Sequence, residues 1–524
     1  MVYVDVLVSA WLALVAVTAL RPRRRGRLAA LAYPIGWIAG ELPLQAIVLE
    51  LALLGLVAWT GWPTRWWEDG AVSLLALVVV GANLALWGAS LGARRVVARA
   101  LAESERPLSP APDVYGRWWR TLLQLPVHPR AMTLVRDVPY GPAARHRLDL
   151  WYYGTPEGAP VVLYLHGGAW TFGDKREQGR PMLHEFAARG WLVVTANYRL
   201  APVHPWPAQI EDVTRTLGWL KQEVARYGGD PDRIVVAGGS AGGHLAALLA
   251  LSGEDPTWRP DDLAVEDWSV RGAIPLYGVL EMTGDEAHWR GLGEGLRHLL
   301  EHRVVQRPYE GHEALYRAIS PLHRIRPDSP PFLVVQGVTD TLVEVNVARG
   351  FVEEFRAASP SLCYYVELPL TQHAFDVTAS PRTSAVTRAA VAFAEAVAHP
   401  RRPLDDDLLA AYAVPPTTLV VGGEDPVEVA AREGDYVVVT PDHPNSVLVD
   451  DAVLAARRRE LDALVERRDW QSRPTVARDP SGEWPEEHGL ALWIDDVAAR
   501  TLARRFGQVA YYRVTPLGVE VVPA

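Results

Sequence analysis

The stretch DPDRIVVAGGSAGGHLAALLA, residues 230–250, decides the fold of this chain. A short apolar run at 234–237 leads into a glycine-rich turn, and a helix-like run follows. Ser240 stands in that turn, flanked by Gly238 and Gly242. A tight strand-to-helix turn strains its central residue and needs small neighbours. The stretch therefore predicts a strand that ends at an exposed serine hydroxyl, with a helix N-terminus directly behind it.

Similar apolar runs recur on both sides of this stretch, separated by segments of helical pattern. They occupy residues 161–165, 191–196, 272–276 and 332–335, and residues 147–153 alternate like a strand. Continuous apolar strands that alternate with amphipathic helices are typical of a mostly parallel sheet with helices on both faces. Ligands of such sheets bind at the carboxyl ends of the strands. The sequence thus predicts an α/β domain whose functional site lies along that edge.

Two further reactive side chains follow such runs. Asp340 comes after 332–335, and His373 comes after the strand-like run 364–370. A serine hydroxyl is a poor nucleophile without a base, and a carboxylate can orient that base and stabilise its charged form. Ser240, His373 and Asp340 are therefore our candidate catalytic residues. Glu344 is the nearest alternative acid, but we expect it at the start of the next helix.

Two more histidines and two glycines complete the candidate site. We expect His166, which opens the motif HGGAW, to hold the glycine loop, and His244 to point sideways from the helix after the serine. An attacked carbonyl becomes an oxyanion, which needs backbone N–H donors already in place. Gly167, Gly168 and Ala241 can supply them, and we predict that they form an oxyanion hole.

Residues 132–398 resemble the hormone-sensitive-lipase-like branch of the α/β-hydrolases, which contains bacterial carboxylesterases and lipases. The matching segments are HGGAW at 166–170, NYRLAPVHPWPAQIEDV at 197–213, the serine stretch at 230–250, and QGVTDTLV and QHAF around the acid and the histidine. The resemblance implies an α/β-hydrolase fold, ester hydrolysis and no cofactor.

By the same resemblance, Ser240, Asp340 and His373 form the catalytic triad, and Gly167, Gly168 and Ala241 form the oxyanion hole. The chain departs from many relatives at Gly239, where they carry an acidic residue. We expect this change to alter local hydrogen bonds and to leave the nucleophile intact. The segment 280–318 corresponds to insertions that help to cover the site in relatives.

The first hundred residues are far more apolar than the rest of the chain. Residues 3–20, 42–60 and 71–92 each approach the roughly 20 apolar residues that cross a bilayer, and we predict three transmembrane helices. The segment 29–40 is predicted to be a kinked or interfacial approach. Glu41 and Glu50 interrupt this region and should face other helices or a polar cavity.

Charge order around these segments predicts the topology. No basic residue precedes 3–20, which disfavours a secretory signal peptide, whereas five arginines lie within 21–27. Arg94, Arg95 and Arg99 follow the last apolar segment. Positive loops stay in the cytoplasm. We therefore expect an integral protein of a bacterial cell membrane, with the N-terminus outside and everything after residue 92 inside; a four-helix arrangement would place the large domain outside.

The remaining features set domain organisation and exclude some partners. We predict a membrane domain at 1–100, a linker at 101–115, the hydrolase at 116–398, a linker region at 399–416 and a small C-terminal α+β domain at 404–524.

The net charge is −10, and no basic patch is interleaved with aromatic residues, so the sequence does not predict nucleic-acid binding. Cys363 is the single cysteine and is expected to be a buried thiol.

The C-terminal segment resembles a small bacterial domain family of unknown function. The matching pieces are YVVVTPDHPNS at 436–446, WPEEHGLAL at 484–492 and RRFGQVAYYRV at 504–514. The spacing of its acidic and histidine residues matches no strong metal-ligand pattern, so no metal site is predicted. The residues considered were His443, Glu486, Glu487 and His488.

The sequence as a whole predicts a membrane-anchored serine esterase or lipase that works through an acyl-enzyme. The anchor favours an amphiphilic, lipid-like ester substrate, although anchoring can also serve location alone. Two alternatives stay open: an amidase or formamidase with the same triad, and a non-catalytic membrane interaction protein on a hydrolase scaffold. The natural substrate and the oligomeric state are not determined by the sequence.

Overall fold

Four helices form the N-terminal region of the computed structural model. The residues described are 2–22, 29–59, 66–104, 106–111, 132–252, 255–263, 265–398, 419–442, 451–478, 485–506, 508 and 510–523. The helices are α1 (Val2–Leu20), α2 (Ala29–Glu41), α3 (Pro43–Trp59) and α4 (Trp66–Ala102). The arginines at 23–27, residues 112–131 and the predicted linker region 399–416 lie outside the described residues.

One helix in the described part of the chain, Ser73–Ala102 within α4, is long and apolar enough to cross a membrane by length and composition. The sequence predicted three such segments. Helices α1 and α3 cover the other two predicted segments, and their crossing of a membrane stays a prediction. Helix α4 also extends beyond the predicted segment 71–92, up to Ala102.

The central stretch of sequence contributes one strand to an eight-stranded sheet. Its strands run in the order β1-β2-β4-β3-β5-β6-β7-β8. Strands β1 and β2 pair antiparallel, β2 also pairs antiparallel with β4, and the remaining pairs are parallel. Their bounds are β1 (Met132–Pro139), β2 (Arg147–Tyr153), β3 (Ala159–Leu165), β4 (Leu192–Ala196), β5 (Gly229–Gly239), β6 (Gly272–Leu276), β7 (Phe332–Gly337) and β8 (Cys363–Leu368). The predicted, mostly parallel α/β sheet is confirmed.

The sheet is buried on both faces. Along β3, Val161 and Leu163 join one hydrophobic cluster, whereas Val162 and Tyr164 join the other, as the pleat of a strand requires. The helices that cover the two faces are α5 (Arg180–Ala188), α6 (Ala208–Glu223), α7 (Ala241–Leu251), α11 (Val345–Ala358) and α12 (Pro381–Ala398). Because both faces are covered, the strands need an unbroken apolar sequence.

The segment 280–318 forms short helices beside the sheet. They are α8 (Glu286–Trp289), α9 (Gly293–Leu299), a π-helical turn (Leu300–Val304) and α10 (Glu313–Ala318). The segment is tied to the loop after β4, because the Trp206 N–H donates to the Val304 carbonyl at 2.8 Å. Buried Trp289 and Tyr316 anchor it in the core.

Helix α4 packs directly on the α/β domain. Its residues Ala93, Val97 and Leu101 are buried in the same hydrophobic cluster as Phe393 of α12. The chain after the helix continues along this surface, where the Ala111 N–H donates to the Arg388 carbonyl at 3.1 Å. The N-terminal helices and the α/β domain belong to one compact unit, Met1–Ala398.

The second unit, His399–Ala524, contains a separate sheet. All of its strand pairs are antiparallel, in the order β14-β13-β10-β12-β11-β9. Its strands are β9 (Val420–Val421), β10 (Tyr436–Val439), β11 (Ser472–Ala477), β12 (Glu487–Leu492), β13 (Ala510–Thr515) and β14 (Gly518–Pro523), and its helices are α13 (Pro426–Glu433), α14 (Asp451–Arg468) and α15 (Asp496–Arg505). The predicted small α+β domain is confirmed.

No group of histidine, cysteine and acidic side chains suited to a metal ion occurs in the described residues. Of the four residues considered from the sequence, His443 lies outside that part of the chain. Cys363 is buried in β8, and burial raises the pKa of its thiol to about 12.

Candidate active site

Ser240 occupies a strained turn between β5 and α7. Its backbone has φ 55° and ψ −120°, outside the regions that non-glycine residues usually adopt. A Cβ at Gly242 would lie 2.0 Å from the Leu165 carbonyl oxygen, and one at Gly238 would lie 2.4 Å from the Gly242 carbonyl oxygen. Only glycine fits at either place, so the turn depends on both.

The structure brings the three predicted side chains together. His373 Nε2 lies 2.8 Å from Ser240 Oγ, and His373 Nδ1 lies 2.7 Å from Asp340 Oδ2. His373 and Asp340 are buried, and Ser240 is partly exposed. Each follows a parallel strand: β5, β7 or β8. The geometry permits a proton to pass from the serine to the histidine while the carboxylate holds the imidazole.

Asp340 is held by a local network. Its Oδ1 accepts the N–H groups of Leu342 at 2.8 Å and Val343 at 2.9 Å, and its Oδ2 accepts the Gln336 amide at 3.0 Å. Glu344, the alternative acid, is the N-cap of α11, as the sequence predicted. The carboxylate that faces the histidine is therefore that of Asp340.

Gln372 links the acid loop to the histidine loop, a role that the sequence analysis missed. Its Oε1 accepts the Thr341 N–H at 2.8 Å and the His373 N–H at 2.9 Å. One buried side chain thus fixes both loops relative to each other. The only sequence signal was its position directly before the histidine.

The three predicted N–H donors are not equivalent. The Gly167 N–H already donates to Gln178 Oε1 at 2.7 Å. Within the described residues, no acceptor takes the N–H of Gly168 or of Ala241. A Cβ at Gly167 would lie 3.2 Å from Ser240 Cβ, so this loop is packed against the serine. Two donors are therefore open, and the third is covered by Gln178.

His166 and His244 hold the surrounding structure. His166 Nδ1 bonds to the Gly167 carbonyl at 2.8 Å, and its ring stacks on Tyr198. His244 accepts from the Trp170 indole at 3.1 Å, while its Nε2 lies 2.8 Å from the Ile319 carbonyl. Burial lowers the pKa of each imidazole to about 4. Both are neutral structural side chains, in agreement with the sequence analysis.

A second carboxylate, Asp376, lies beneath the histidine and was not found from sequence. The Tyr277 hydroxyl donates to it, and the Tyr277 ring meets the His373 ring edge-on at 4.6 Å. Tyr164 also donates to Asp376, at 3.4 Å. A Cβ at Gly239 would lie 2.4 Å from the Tyr277 hydroxyl. The glycine before the serine therefore makes room for this tyrosine.

Burial raises the pKa of the Asp376 carboxyl, and hydrogen bonds from Tyr277 and Tyr164 oppose that shift. Burial also holds the pKa of both phenols well above the usual range, so they stay protonated as donors. The hydrogen-bonded cluster of Asp376, Tyr277 and Tyr164 holds the histidine loop in place from inside the core.

The chain is similar to known families over two segments. Residues 148–355 match the family described as BD-FAE, and residues 439–511 match a protein family of unknown function, DUF3293. The chain is 37% identical over 399 residues to the "Probable carboxylic ester hydrolase LipM" of Mycobacterium tuberculosis, covering 72% of this chain and 89% of that protein. It is 33% identical over 375 residues to the esterase LipQ of the same organism, covering 70% and 84%.

Solved structures of esterases are also similar to part of this chain. An inhibited esterase B from Lactobacillus rhamnosis is 22% identical, covers 51% of this chain and 88% of its own, and superposes with a TM-score of 0.44. A truncated carbohydrate esterase from gut microbiota covers 55% of this chain and 99% of its own, at 20% identity and a TM-score of 0.43.

Proposed function

Since this chain belongs to the hormone-sensitive-lipase-like branch of the α/β-hydrolases and is a carboxylic ester hydrolase, we propose that Ser240, His373 and Asp340 are its catalytic triad. One observation carries the proposal: the unbroken chain of contacts from Ser240 Oγ through His373 to Asp340, at 2.8 and 2.7 Å. Each side chain follows a different strand, so the sheet fixes their separation.

The proposed reaction begins with proton transfer from the Ser240 hydroxyl to His373 Nε2. Ser240 Oγ attacks the ester carbonyl, and Asp340 stabilises the imidazolium that forms. Collapse of the tetrahedral intermediate expels the alcohol, protonated by His373, and leaves an acyl-serine. His373 then takes a proton from water, which attacks the acyl group, and the acid is released with Ser240 restored.

The negative charge of the tetrahedral intermediate needs donors near Ser240. Gly168 and Ala241 offer open N–H groups, and Ala241 lies at the N-terminus of α7, where the helix dipole adds to the attraction. Gly167 becomes a third donor when the Gln178 amide oxygen leaves its N–H. Removing one such donor typically costs roughly 100-fold or more in kcat.

A substrate panel tests the ester specificity. We expect the protein to hydrolyse p-nitrophenyl esters and to leave the matched p-nitroanilides of the same acids intact. Faster cleavage of the anilides would favour the amidase alternative. Cleavage of neither, by protein that retains its helical and sheet content, would favour the non-catalytic scaffold.

The protein is proposed to be anchored in the bacterial cell membrane with its catalytic domain in the cytoplasm. The apolar helix Ser73–Ala102 supports an anchor, and the arginines at 94, 95 and 99 support a cytoplasmic C-terminal side. A reporter enzyme fused after residue 110 tests the topology. We expect a cytoplasmic reporter to be active; activity only of a reporter that works outside the cytoplasm would overturn it.

A further inference from the structure

Helix α2 reaches the loop that carries His373. The Trp37 indole donates to the Ala374 carbonyl at 2.8 Å, and the Tyr33 ring lies edge-on to the His373 ring at 5.9 Å. A Cβ at Gly36 would lie 3.3 Å from Gln372 Nε2. Three residues spaced along one face of α2 therefore contact the histidine loop. The N-terminal helices form one wall of the site.

A buried ion pair fixes this contact. Glu41, at the end of α2, pairs with Arg382 at the start of α12, and both side chains are fully buried. The Arg382 guanidinium also donates to the Leu370 carbonyl at 3.2 Å. The backbone N–H of Arg382 donates to Ser90 Oγ of α4 at 3.2 Å. Glu41 was expected to face other helices or a polar cavity, and its partner Arg382 lies on helix α12 of the α/β domain. Because an unpaired buried charge is costly, the pair specifies one docking position.

The surface around the site is apolar as well. Among the described residues of 132–398, the exposed large hydrophobic side chains are Phe172, Val203, Leu342 and Val377, which we name the apolar rim. Three of them lie in segments that carry site residues, and Val203 lies two residues after Ala201, whose N–H donates to the Trp170 carbonyl at 3.0 Å. Phe172 ends the glycine loop, Leu342 donates its N–H to Asp340, and Val377 closes the histidine loop. Exposed apolar groups gathered at one place mark an interaction surface.

The N-terminal helices also expose apolar side chains along their length. On α1, α3 and α4 these include Trp11, Leu14, Leu51, Leu56, Leu77 and Leu84. A surface of this kind is stable in lipid and costly in water. Helix α2 packs against α1, α3 and α4 and also contacts the histidine loop, so the site lies close to these helices.

We propose that the active-site mouth opens onto the bilayer that the N-terminal helices enter, and that the enzyme takes a long-chain lipid ester laterally from it. This inference rests on the proposed function. The apolar rim places the opening of the active site against the lipid surface. Helix α2 lines one side of the path to Ser240. A substrate that stays in the bilayer reaches the serine without crossing water, whereas a short, soluble ester gains nothing from the rim.

Two substrates with the same leaving group test the inference. Full-length protein in phosphatidylcholine vesicles is given p-nitrophenyl palmitate embedded in the vesicles, or p-nitrophenyl butyrate in solution. The double variant Val203→Asn with Val377→Asn makes the rim polar. We expect its kcat/KM for palmitate to fall about tenfold, the cost of two apolar contacts with lipid, with butyrate within about twofold of wild type.

The matched control is Leu517→Asn in the second unit, where the side chain is 98% exposed and remote in sequence from the site. We expect it to change neither rate. An unchanged palmitate rate in the double variant, or an equal fall for both substrates, would overturn the inference. Wild-type protein that hydrolyses neither ester would instead overturn the proposed function, and the inference with it.

Discussion

The residues around Ser240 show how little freedom the nucleophile turn has. The serine is held at φ 55° between the strand that precedes it and the helix that follows it, and two glycines leave the space that this needs. The sequence reveals this requirement because only glycine can accept such close backbone approach. The positions of Gly238 and Gly242, and the reason for each, were therefore predictable from the amino-acid sequence alone.

Gly242→Ala should damage the protein. The added methyl group would lie 2.0 Å from the Leu165 carbonyl oxygen, so β3 and α7 must separate. We expect a loss of about 2–3 kcal/mol in the free energy of unfolding, together with lower esterase activity. The control is Gly295→Ala in α9, where no atom lies within 4 Å of the new Cβ. That change should stabilise by about 0.5–1 kcal/mol.

The buried Asp376 carboxyl should make stability depend on pH. Burial raises its pKa above the usual 3.8 in the folded protein. Above that pH the unfolded chain loses this proton first, so stability falls as the pH rises towards the folded-state pKa. Asp376→Asn removes the effect. We expect the melting temperature of the variant, relative to wild type, to rise as the pH increases above about 4; a constant difference would refute this.

Residues that act through distant partners could not be predicted. Gln178 and Asp376 lie in no quoted motif, and Gln372 is only the residue before the histidine in QHAF. Each acquires its role from a side chain or N–H that folding brings near. By contrast, Ser240, Asp340 and His373 each follow an apolar strand, and the sheet itself brings strand ends together. The three triad residues could be predicted from the sequence because the topology of the sheet alone brings them together.

Elements with a strong pattern were equally predictable. The continuous apolar runs at 161–165, 234–237 and 332–335 all lie in buried parallel strands, because such strands contact helices on both faces. The contact of α2 with the histidine loop was not foreseen. Its apolar sequence fits lipid, another helix or a protein surface equally well, and only the fold decides between them.

His244, in helix α7, should make the free energy of unfolding fall at acid pH. His244 accepts the Trp170 indole N–H through one ring nitrogen and contacts the Ile319 carbonyl through the other. A second proton on the imidazole would have to sit on the accepting nitrogen, where it would face the indole N–H. Burial lowers its pKa from 6.5 to about 4. Between these values the unfolded chain binds the proton first, and stability is lost as the pH falls.

His244→Gln tests this assignment. Glutamine offers one donor and one acceptor but does not titrate. We expect the variant to be less stable than wild type at neutral pH and to lose less further stability between pH 6.5 and about 4, followed by thermal unfolding. An equally steep loss in the variant would show that His244 does not contribute.

At the scale of the molecule, the two units have separate hydrophobic cores. Every residue of the proposed site lies in Met1–Ala398. A chain that ends at Ala398 should therefore retain the wild-type kcat/KM for p-nitrophenyl butyrate within about twofold. A loss of more than about tenfold, in truncated protein with a normal melting temperature, would mean that the second unit takes part in catalysis.

The most direct test of the central claim is labelling by a fluorophosphonate probe, which reacts with an activated serine. Purified wild-type protein and Ser240→Ala are treated side by side, and folding is checked by circular dichroism. The account predicts that wild type is labelled and that the variant is not, since Ser240 is the hydroxyl that His373 activates. Equal labelling of both proteins, or none of folded wild type, would contradict it.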